Sequence, residues 1–585
     1  MSPESTDISS TPHGVTRLAT SRPRVLGWLR SAAILDGDWG TSVAYVMGIG
    51  FALAGYSSFW HLSAMMVLTT LVAINYITIC RLYPNGGGVY GSVYHRSKLL
   101  AVVGALLLAA DYIVTMALSI LDACHYFGVE NPVLWAVVII CAIAALNWFG
   151  PKHSGGLALL ITAITVVTLI IIVVASAPTA LASPRIDAPQ GGFLHNWGIF
   201  TGFILSLSGI EAISNMTGLM KDPTRDSRRA ILSVLTKVLL VNAFLGLAML
   251  AIQGLNTGDH LEDMIRFLGE HYVGAWFGWV VALSLGVLLV SAGNTALNGL
   301  ISVQFLMSVD KELPQSLRIL NRYGVPILPL FLATGIPIVI LLLVGNVESL
   351  SHLYAIGLVG AMTINLGSTA TDKSIKISTV VRVFMLISAI VLFFIEISIA
   401  VNKVQAALFA MAILIAGLSA RSIVKSRAKV PIPVAETVPA ETVAPQRRRR
   451  SIPSTKYLLA LKDVNERLIK FAIEEAKSRN AFLFILRVKE IAVGSLPAQL
   501  DMPTNGQEKL IERICADAGV DYQSIQIPSY DVGYTIAEQA ATFGVDRVII
   551  GAQQRSRLEY VIKGSVMRAL NNLLPEDVQL VIFGG

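Results

Sequence analysis

Stretches of about 20 mostly apolar residues recur along the chain as far as position 424 and are separated by short polar connections. A helix of about 20 apolar residues crosses the hydrocarbon core of a bilayer, so this pattern predicts about twelve transmembrane helices. The predicted spans lie near residues 31–54, 59–82, 99–126, 132–149, 155–177, 196–218, 230–253, 274–305, 325–345, 349–367, 379–401 and 404–422. The fold class expected from this pattern is an α-helical polytopic membrane protein.

The apolar pattern stops on both sides of this block. Residues 1–28 are mainly polar and form a predicted amino-terminal tail, and residues 29–424 form the membrane domain. Residues 425–454 are rich in Pro and Val, have no helical or strand period and end near four consecutive arginines, which is typical of a linker. These arginines either touch anionic lipid head groups or remain solvated.

Residues 455–585 have the pattern of a separate soluble domain. Short apolar runs such as KYLLALK, AFLFILRVK and DRVIIGA alternate with amphipathic helical segments such as NERLIKFAIEEAKSR. Alternation of strand and helix predicts a parallel sheet covered by helices. The length of about 130 residues suits one α/β domain.

Composition supports the membrane assignment. Hydrophobic residues make up 54% of the 585 positions and charged residues 14%, and the mean hydropathy is +0.65. These values lie outside the usual range of soluble proteins. A multi-pass protein in the lipid bilayer of the cell membrane is therefore expected.

The net charge of +7 reflects orientation in the membrane. Lys and Arg gather in alternate connections between the spans, whereas the other connections carry only Arg185, Arg266 and Lys403. Positively charged loops stay on the cytoplasmic side, so both termini are expected in the cytoplasm. No nucleic-acid partner is expected, since the basic residues are explained by this rule.

Three acidic residues lie inside the apolar stretches, namely Asp38, Asp111 and Glu211. Placing a carboxylate near the centre of a spanning helix costs about 2.5–3.5 kcal/mol, so such groups usually face a cavity, a partner or an ion path. Any one of them alone could instead be a hydrogen-bond partner between helices. Together they indicate a cation site.

Two predicted spans share a second feature. GDWG at 37–40 and SLSG at 206–209 place glycine and small polar residues in mid-membrane, each beside a carboxylate, and the two spans are five apart. Interrupted helices in corresponding positions of two halves indicate a midplane substrate site in an inverted repeat. Glycines in membrane helices also serve close packing, which is the alternative for either span alone.

Hydroxyl groups accompany the carboxylates. Thr115 follows Asp111 by four residues on an unbroken helix and Ser208 precedes Glu211 by three, so each pair is expected to share a helix face. Tyr45 lies seven residues after Asp38, which is two turns of helix if the GDWG break does not rotate them. Tyr354 is a further intramembrane hydroxyl in LYAIG.

An all-oxygen set of this kind suits an alkali or hard cation that sheds its water. No His or Cys joins the set, which makes a transition metal a poor match. Several carboxylates at one site repel each other and favour protonation of at least one. This provides a route to coupling cation movement to protons.

The segments DGDWGTSVAY, PNGGGVYG, GIEAISN and LYAIG resemble the amino acid/polyamine/organocation (APC) superfamily, and more narrowly its KimA-type and KUP-type potassium importers. The resemblance implies a LeuT-like 5+5 inverted repeat and a secondary transporter that imports potassium by proton symport as an inward-occluded homodimer. It also implies which residues line the potassium path. These are Asp38, Tyr45, Asp111, Thr115, Ser208, Glu211 and Tyr354. Ser208 stands where KimA-type proteins have threonine, and the hydroxyl is kept.

Two other functions remain open from the residues. An amino-acid or polyamine permease of the same superfamily is one, although an Asp in the first break would repel a substrate carboxylate. A membrane sensor that binds without transporting is the other. The sequence shows no arrangement of a nucleophile and a base of the kind that would indicate an enzyme.

The soluble tail resembles the universal stress protein family. Nucleotide-binding members carry G-x2-G-x9-G-[ST] after the fourth strand, where glycines let backbone N–H groups approach phosphates. Gly551, Gly564 and Ser565 keep this spacing, but Gln554 replaces the second glycine, and Asp463 stands near the acidic residue used close to the adenine or ribose. The resemblance implies a cytoplasmic regulatory domain, with an adenine nucleotide as its ligand or, alternatively, a purely structural or dimerising role.

Overall fold

A computed structural model of the chain describes residues 16–17, 24, 26–150, 155–428, 455–462, 465–491, 507–529, 531–552 and 565–584. The proposed linker arginines, Arg447 to Arg450, lie outside these residues.

In the described part, ten helical runs are long and apolar enough to cross a membrane. One run, Trp39–Leu82, has 44 residues and is turned at Gly55, whose φ of 52° marks the end of one helix and the start of the next. A shorter apolar helix covers Pro132–Asn147. Each of the twelve predicted spans therefore contains helix, and the prediction of a polytopic helical fold is confirmed.

The helices of the membrane domain are numbered in chain order. They are α1 Trp28–Asp36, α2 Ser42–Ala54, α3 Ser58–Leu82, α4 Gly88–Val93, α5 Lys98–Phe127, α6 Pro132–Asn147, α7 Gly155–Ala182, α8 Phe193–Gly202, α9 Ala212–Met216, α10 Pro223–Leu250, α11 Met264–Tyr272, α12 Ala275–Val309, α13 Ile327–Val344, α14 Val347–Thr371, α15 Thr379–Asn402 and α16 Val404–Ala428. The short helices α4 and α11 lie in connections between spans.

Helices α5 and α14 form the centre of the domain. Within the most apolar segment of each, 83% of the residues are buried, whereas the corresponding share is 6% in α16. Helix α5 packs against α12 and α14 along its length. Residues on α5 and α14 are therefore held inside the protein, away from lipid.

The soluble domain is a parallel six-stranded sheet with helices on both faces, which confirms the predicted α/β fold. The strands occur in the spatial order β1-β4-β3-β2-β5-β6. The elements are β1 Thr16–Arg17, β2 Lys456–Leu461, α17 Glu466–Ser478, β3 Phe482–Glu490, α18 Gln507–Ala518, β4 Tyr522–Ser529, α19 Val532–Phe543, β5 Arg547–Gly551, α20 Val566–Leu573 and β6 Gln579–Phe583. Apolar clusters on the two faces of the sheet form its core.

One strand of this sheet comes from the amino-terminal part of the chain. Thr16 pairs in parallel register with Ile525, at the edge of the sheet. The chain on both sides of the membrane domain therefore contributes to one sheet, which places the two ends on the same side of that domain.

The soluble domain also touches the membrane domain. Ile491, directly after β3, is fully buried in a cluster with Phe305 and is flanked by Val309 and Leu320. Beside this contact, a β-carbon at Gly324 would lie 2.3 Å from the Glu490 carbonyl oxygen. The connection that follows α12 is thus packed closely against the end of β3.

Candidate functional site

The first span is interrupted where GDWG predicts a break. Helix α1 ends at Asp36, a 3-10 turn covers Trp39–Thr41, and α2 begins at Ser42. The Thr41 hydroxyl donates a hydrogen bond to the Asp38 carbonyl oxygen at 2.5 Å. The Asp38 side chain is buried, with 2% of its surface exposed, so this carboxyl lies inside the membrane domain.

The sixth span is interrupted in the same way. Helix α8 gives way at Phe203 to a 3-10 turn, Ser208 has non-helical backbone angles, and α9 begins after Glu211. The expectation that Ser208 and Glu211 share a helix face is therefore wrong, because the break lies between them. Gly209 has a φ of 91°, a conformation that favours glycine. The Glu211 carboxyl turns back towards the backbone N–H of Gly209, which the break leaves without a helical partner.

The two interruptions are in contact with each other. The indole N–H of Trp39 donates to the Ser206 carbonyl oxygen at 3.1 Å, and Gly209 packs directly on the backbone of Asp38 and Trp39. Trp39 is fully buried and is a packing residue of this contact. The two broken spans cross where their carboxylates lie.

Two continuous helices complete the cluster. Asp111 and Thr115 lie one turn apart on α5, and the Thr115 hydroxyl donates to the Asp111 carbonyl oxygen at 2.8 Å. Helix α14 approaches α5 closely because it has Gly357 there: a β-carbon would lie 2.6 Å from the Asp111 nitrogen. This brings Tyr354, one turn away on α14, next to Asp111.

All seven residues predicted to line the path are buried and lie together. The Tyr354 and Ser208 hydroxyls are hydrogen-bonded to each other, and Tyr45 lies beside Ser208. The carboxyls of Asp38, Asp111 and Glu211 lie within electrostatic range of one another. Four separate segments of the chain therefore supply one compact group of oxygen atoms.

Several of these oxygen atoms accept no well-formed hydrogen bond from the described residues. Glu211 Oε2 is buried without a partner, and the Asp111 carboxyl oxygens, although they lie beside the Thr115 and Tyr354 hydroxyls, accept no hydrogen bond of good geometry. A buried polar atom without a partner is costly, and a carboxylate more so. The group is chemically suited to accept a cation, a proton or both.

Other polar residues of the neighbourhood were not singled out from the sequence. The ring of Tyr112 lies within electrostatic range of all three carboxyls, and its hydroxyl accepts a hydrogen bond from Asn215 at 2.7 Å. Tyr76 lies near Asp111 and Glu211. The signal available was that a tyrosine hydroxyl inside an apolar span needs a polar partner.

An ion pair below the first break was also missed. Lys237 of α10 contacts Asp36 at 2.8 Å, and both side chains are largely buried. An ionisable residue in an apolar stretch such as SVLTKVLLVNAF points to a partner inside the membrane. The pair ties the end of α1 to α10.

The predicted nucleotide-binding residues are described only in part. Gly551 ends β5, and Ser565 caps α20 by accepting a hydrogen bond from the Arg568 N–H at 3.2 Å. Asp463 and Gly564 lie outside the described residues. Nucleotide binding by this domain therefore stays a prediction.

Comparison with known families divides the chain in two. A family described as amino acid permease matches residues 26–418, and the universal stress protein family matches residues 459–581. These ranges follow the membrane domain and the α/β domain.

Curated relatives are distant. The potassium transporter KimA of Bacillus subtilis is 26% identical over 390 residues, which cover 59% of this chain and 62% of that protein. An uncharacterized transporter of Mycobacterium tuberculosis is 26% identical over 298 residues, covering 48% and 64%. An S-adenosylmethionine permease of Candida albicans is 20% identical over 318 residues, covering 49% of each. The chain thus spans less than two thirds of the length of these relatives.

Proposed function

Since the chain belongs to the amino acid permease family, with a universal stress protein family domain at its carboxyl end, we propose that it is a secondary transporter that imports potassium by proton symport. The observation that carries this proposal is the convergence of Asp38, Asp111 and Glu211 where the two broken spans cross.

The chemistry of the group favours a cation over an anion or a zwitterion. Three carboxylates at close range repel one another and any substrate carboxylate, whereas a monovalent cation reduces the repulsion. Hydroxyl oxygens of Ser208 and Tyr354 stand beside them. Carboxylate, hydroxyl and free carbonyl oxygens can replace the water shell of an alkali ion.

The proposed transport cycle uses the two breaks as pivots. A hydrated potassium ion exchanges its water for the oxygens of the site, and its charge offsets that of the carboxylates. The occluded protein then rocks about the crossing of the broken spans, in the alternating-access manner of LeuT-like transporters. A carboxyl that takes up a proton outside and releases it inside would couple the two movements.

A permease for an amine or a cationic amino acid is the second candidate. It is favoured by the family match itself and by the resemblance to an S-adenosylmethionine permease. Asp38 at the first break argues against a substrate whose carboxylate would bind there, but not against a polyamine.

The decisive experiment is a flux measurement on the full chain reconstituted into vesicles that contain a potassium-sensitive and a pH-sensitive dye. We expect an inward potassium gradient to produce a potassium signal together with acidification of the vesicle. Labelled amino acids and polyamines are tested for uptake and for competition with rubidium. Amine uptake without rubidium uptake would favour the permease, and no flux of any kind would favour a sensor.

The soluble domain is proposed to regulate transport. Ile491 of this domain is buried against Phe305, at the end of α12, and α12 packs along α5, which carries Asp111. A change in the soluble domain therefore has a continuous packed route to the site. An adenine nucleotide is the proposed ligand of the domain.

The membrane context follows from the charge distribution. Lys- and Arg-rich connections lie on the side of α12 and α14 that faces the soluble domain, and such connections stay in the cytoplasm. We therefore propose that the protein lies in the plasma membrane with both termini in the cytoplasm. Association as a homodimer remains part of the proposal.

A further inference from the structure

A second group of acidic residues lies at the end of the membrane domain opposite the Lys- and Arg-rich connections. It surrounds an open cavity of about 460 Å³. The cavity is lined by His125, Gly258, His260, Leu261, Glu262 and Asp263. His125 belongs to the last turn of α5, and the other residues precede α11.

Two contacts between a histidine and a carboxylate arrange the acidic side chains of this cavity. His125 Nδ1 lies 2.7 Å from Glu262 Oε2, and His260 Nδ1 lies 3.0 Å from Asp263 Oδ1. All four side chains are partly exposed. Negative groups at the mouth of a cleft raise the local concentration of cations.

The feature that points to a ligand lies one turn deeper on α5. Asp122 is completely buried, and neither of its carboxyl oxygens has a hydrogen-bond partner among the described residues. The carboxyls of Glu262 and Asp263 are within its electrostatic range. A buried carboxylate that has no hydrogen-bond donor and lies near two further acids is in an unfavourable arrangement, which a cation would stabilise.

Asp122 is aligned with the midplane site. It follows Asp111 by eleven residues, which on an α-helix is about 20° from the same face and about 16 Å along the axis. Thr115 lies on this face between them. Tyr45 is within electrostatic range of both Asp38 and Asp122. Asp122 therefore stands between the cavity and the midplane group.

In the structure, close backbone contacts cover the path from the cavity to Asp122. Gly48, one turn beyond Tyr45 on α2, lies so close to the segment before α11 that a β-carbon there would be 2.2 Å from the Leu261 carbonyl oxygen. The Tyr126 hydroxyl also donates to the Ala44 carbonyl oxygen at 3.0 Å. These contacts lie on the cavity side of Asp122, since Leu261 lines the cavity and Tyr126 follows Asp122 on α5. An ion held at Asp122 would therefore be covered from the cavity.

We propose that Asp122, together with Glu262 and Asp263, forms a second binding site for a monovalent cation, at which the ion is held before it reaches the midplane site. The proposal rests on the proposed function for the identity of the ion, since it assigns both sites to the same cation.

Crystals of the full chain soaked in thallium(I), an electron-rich analogue of potassium, test the two sites separately. We expect one anomalous peak beside Asp122 and another among Asp38, Asp111 and Glu211. In Asp122→Asn the outer peak is lost and the midplane peak remains. Absence of the outer peak in the wild type, or its persistence in Asp122→Asn, would overturn the second site, and absence of the midplane peak would instead count against the proposed function.

Sided rubidium flux supplies the matched comparison. In Asp122→Asn and Glu262→Gln, the half-saturating rubidium concentration should rise about tenfold at the outer face and stay unchanged at the cytoplasmic face, because one attractive charge is lost at the outer site only. Glu130→Gln removes the same charge from an exposed position on the same side and should behave as the wild type. Equal changes at both faces in Asp122→Asn would contradict the proposal.

Discussion

Gly209 lies directly against the backbone of Trp39. A β-carbon at position 209 would come 2.4 Å from the Trp39 nitrogen, a distance that real β-carbons do not adopt, and the φ of 91° at Gly209 is itself unfavourable for other residues. The two broken spans therefore make their closest contact at Gly209, which has no side chain. Asp38 directly precedes Trp39, and Glu211 follows Gly209 by two residues.

Replacing this glycine should disable transport. In Gly209→Ala the added methyl group pushes the two breaks apart and displaces both carboxylates, so we expect rubidium uptake to fall at least about a hundredfold, as small misplacements at active sites do. Gly198→Ala is the matched control, because a β-carbon at Gly198 in α8 meets nothing within 4 Å. Uptake close to the wild type in Gly209→Ala would show that the crossing does not position the site.

The midplane carboxylates should be individually required. Asp38→Asn and Glu211→Gln each keep the shape of the side chain but remove a charge from the group, so we expect no growth on limiting potassium in a strain that lacks other potassium importers. Glu396→Gln removes a buried carboxyl on α15, outside the group, and should leave growth intact. Normal growth with either of the first two variants would refute the potassium assignment.

The ion pair between Lys237 and Asp36 should stabilise the membrane domain. In Lys237→Met, the Asp36 carboxylate loses its partner at 2.8 Å while remaining buried, and loss of one partner of a buried pair costs about 3–5 kcal/mol. We expect a lower melting temperature in detergent, measured by tryptophan fluorescence. The double variant Asp36→Asn with Lys237→Met removes both charges and should recover most of the loss, whereas equal melting of the two variants would mean that no unpaired charge is involved.

A pH-dependent contribution is expected at the end of α14. Hydrogen bonds from Ser374 and His95 lower the pKa of Asp372 to about 2. Since the unfolded pKa is about 3.9, this stabilisation is complete above that pH and is lost as the pH falls towards 2. Asp372→Asn should therefore lower the melting temperature at pH 7, and the difference from the wild type should shrink below about pH 4.

The exposed Asp517→Asn provides the comparison, because it changes the same charge without removing a described hydrogen bond. A difference for Asp372→Asn that is constant between pH 7 and pH 3 would exclude this explanation.

The contact of Ile491 with Phe305 should transmit conformational changes of the soluble domain to the membrane domain. Ile491→Ser places a hydroxyl in a fully buried apolar cluster. This should weaken the contact between the soluble domain and the membrane domain by about 2–3 kcal/mol. We expect faster proteolysis at the domain boundary and a changed rubidium uptake rate with unchanged half-saturation. Ile582→Ser, at a position 44% exposed on β6, should alter neither, and an unchanged uptake rate in Ile491→Ser would argue against regulation through this contact.

Much of the fold follows from local patterns. The pattern predicts the spans because, inside a bilayer, a long apolar helix satisfies all its backbone hydrogen bonds internally. It predicts the α/β tail because strand and helix periods alternate along the sequence. Both helix breaks were also visible, in GDWG and SLSG, since glycine and serine lower helix propensity. The bounds differ by a few residues, as for α10, which begins at Pro223 rather than near 230.

The residue types and their positions along the chain show which side chains can hold a cation, because carboxylates and hydroxyls inside apolar spans need a partner. Helix packing brings Asp38, Asp111, Glu211 and Tyr354 together, and no local pattern specifies which helices pack against each other. Helix packing also decides the pairing of Lys237 with Asp36 and the position of Asp122 above the midplane group. These relations join residues up to about 300 positions apart, and the packing that creates them is set by many small contacts rather than by a local pattern.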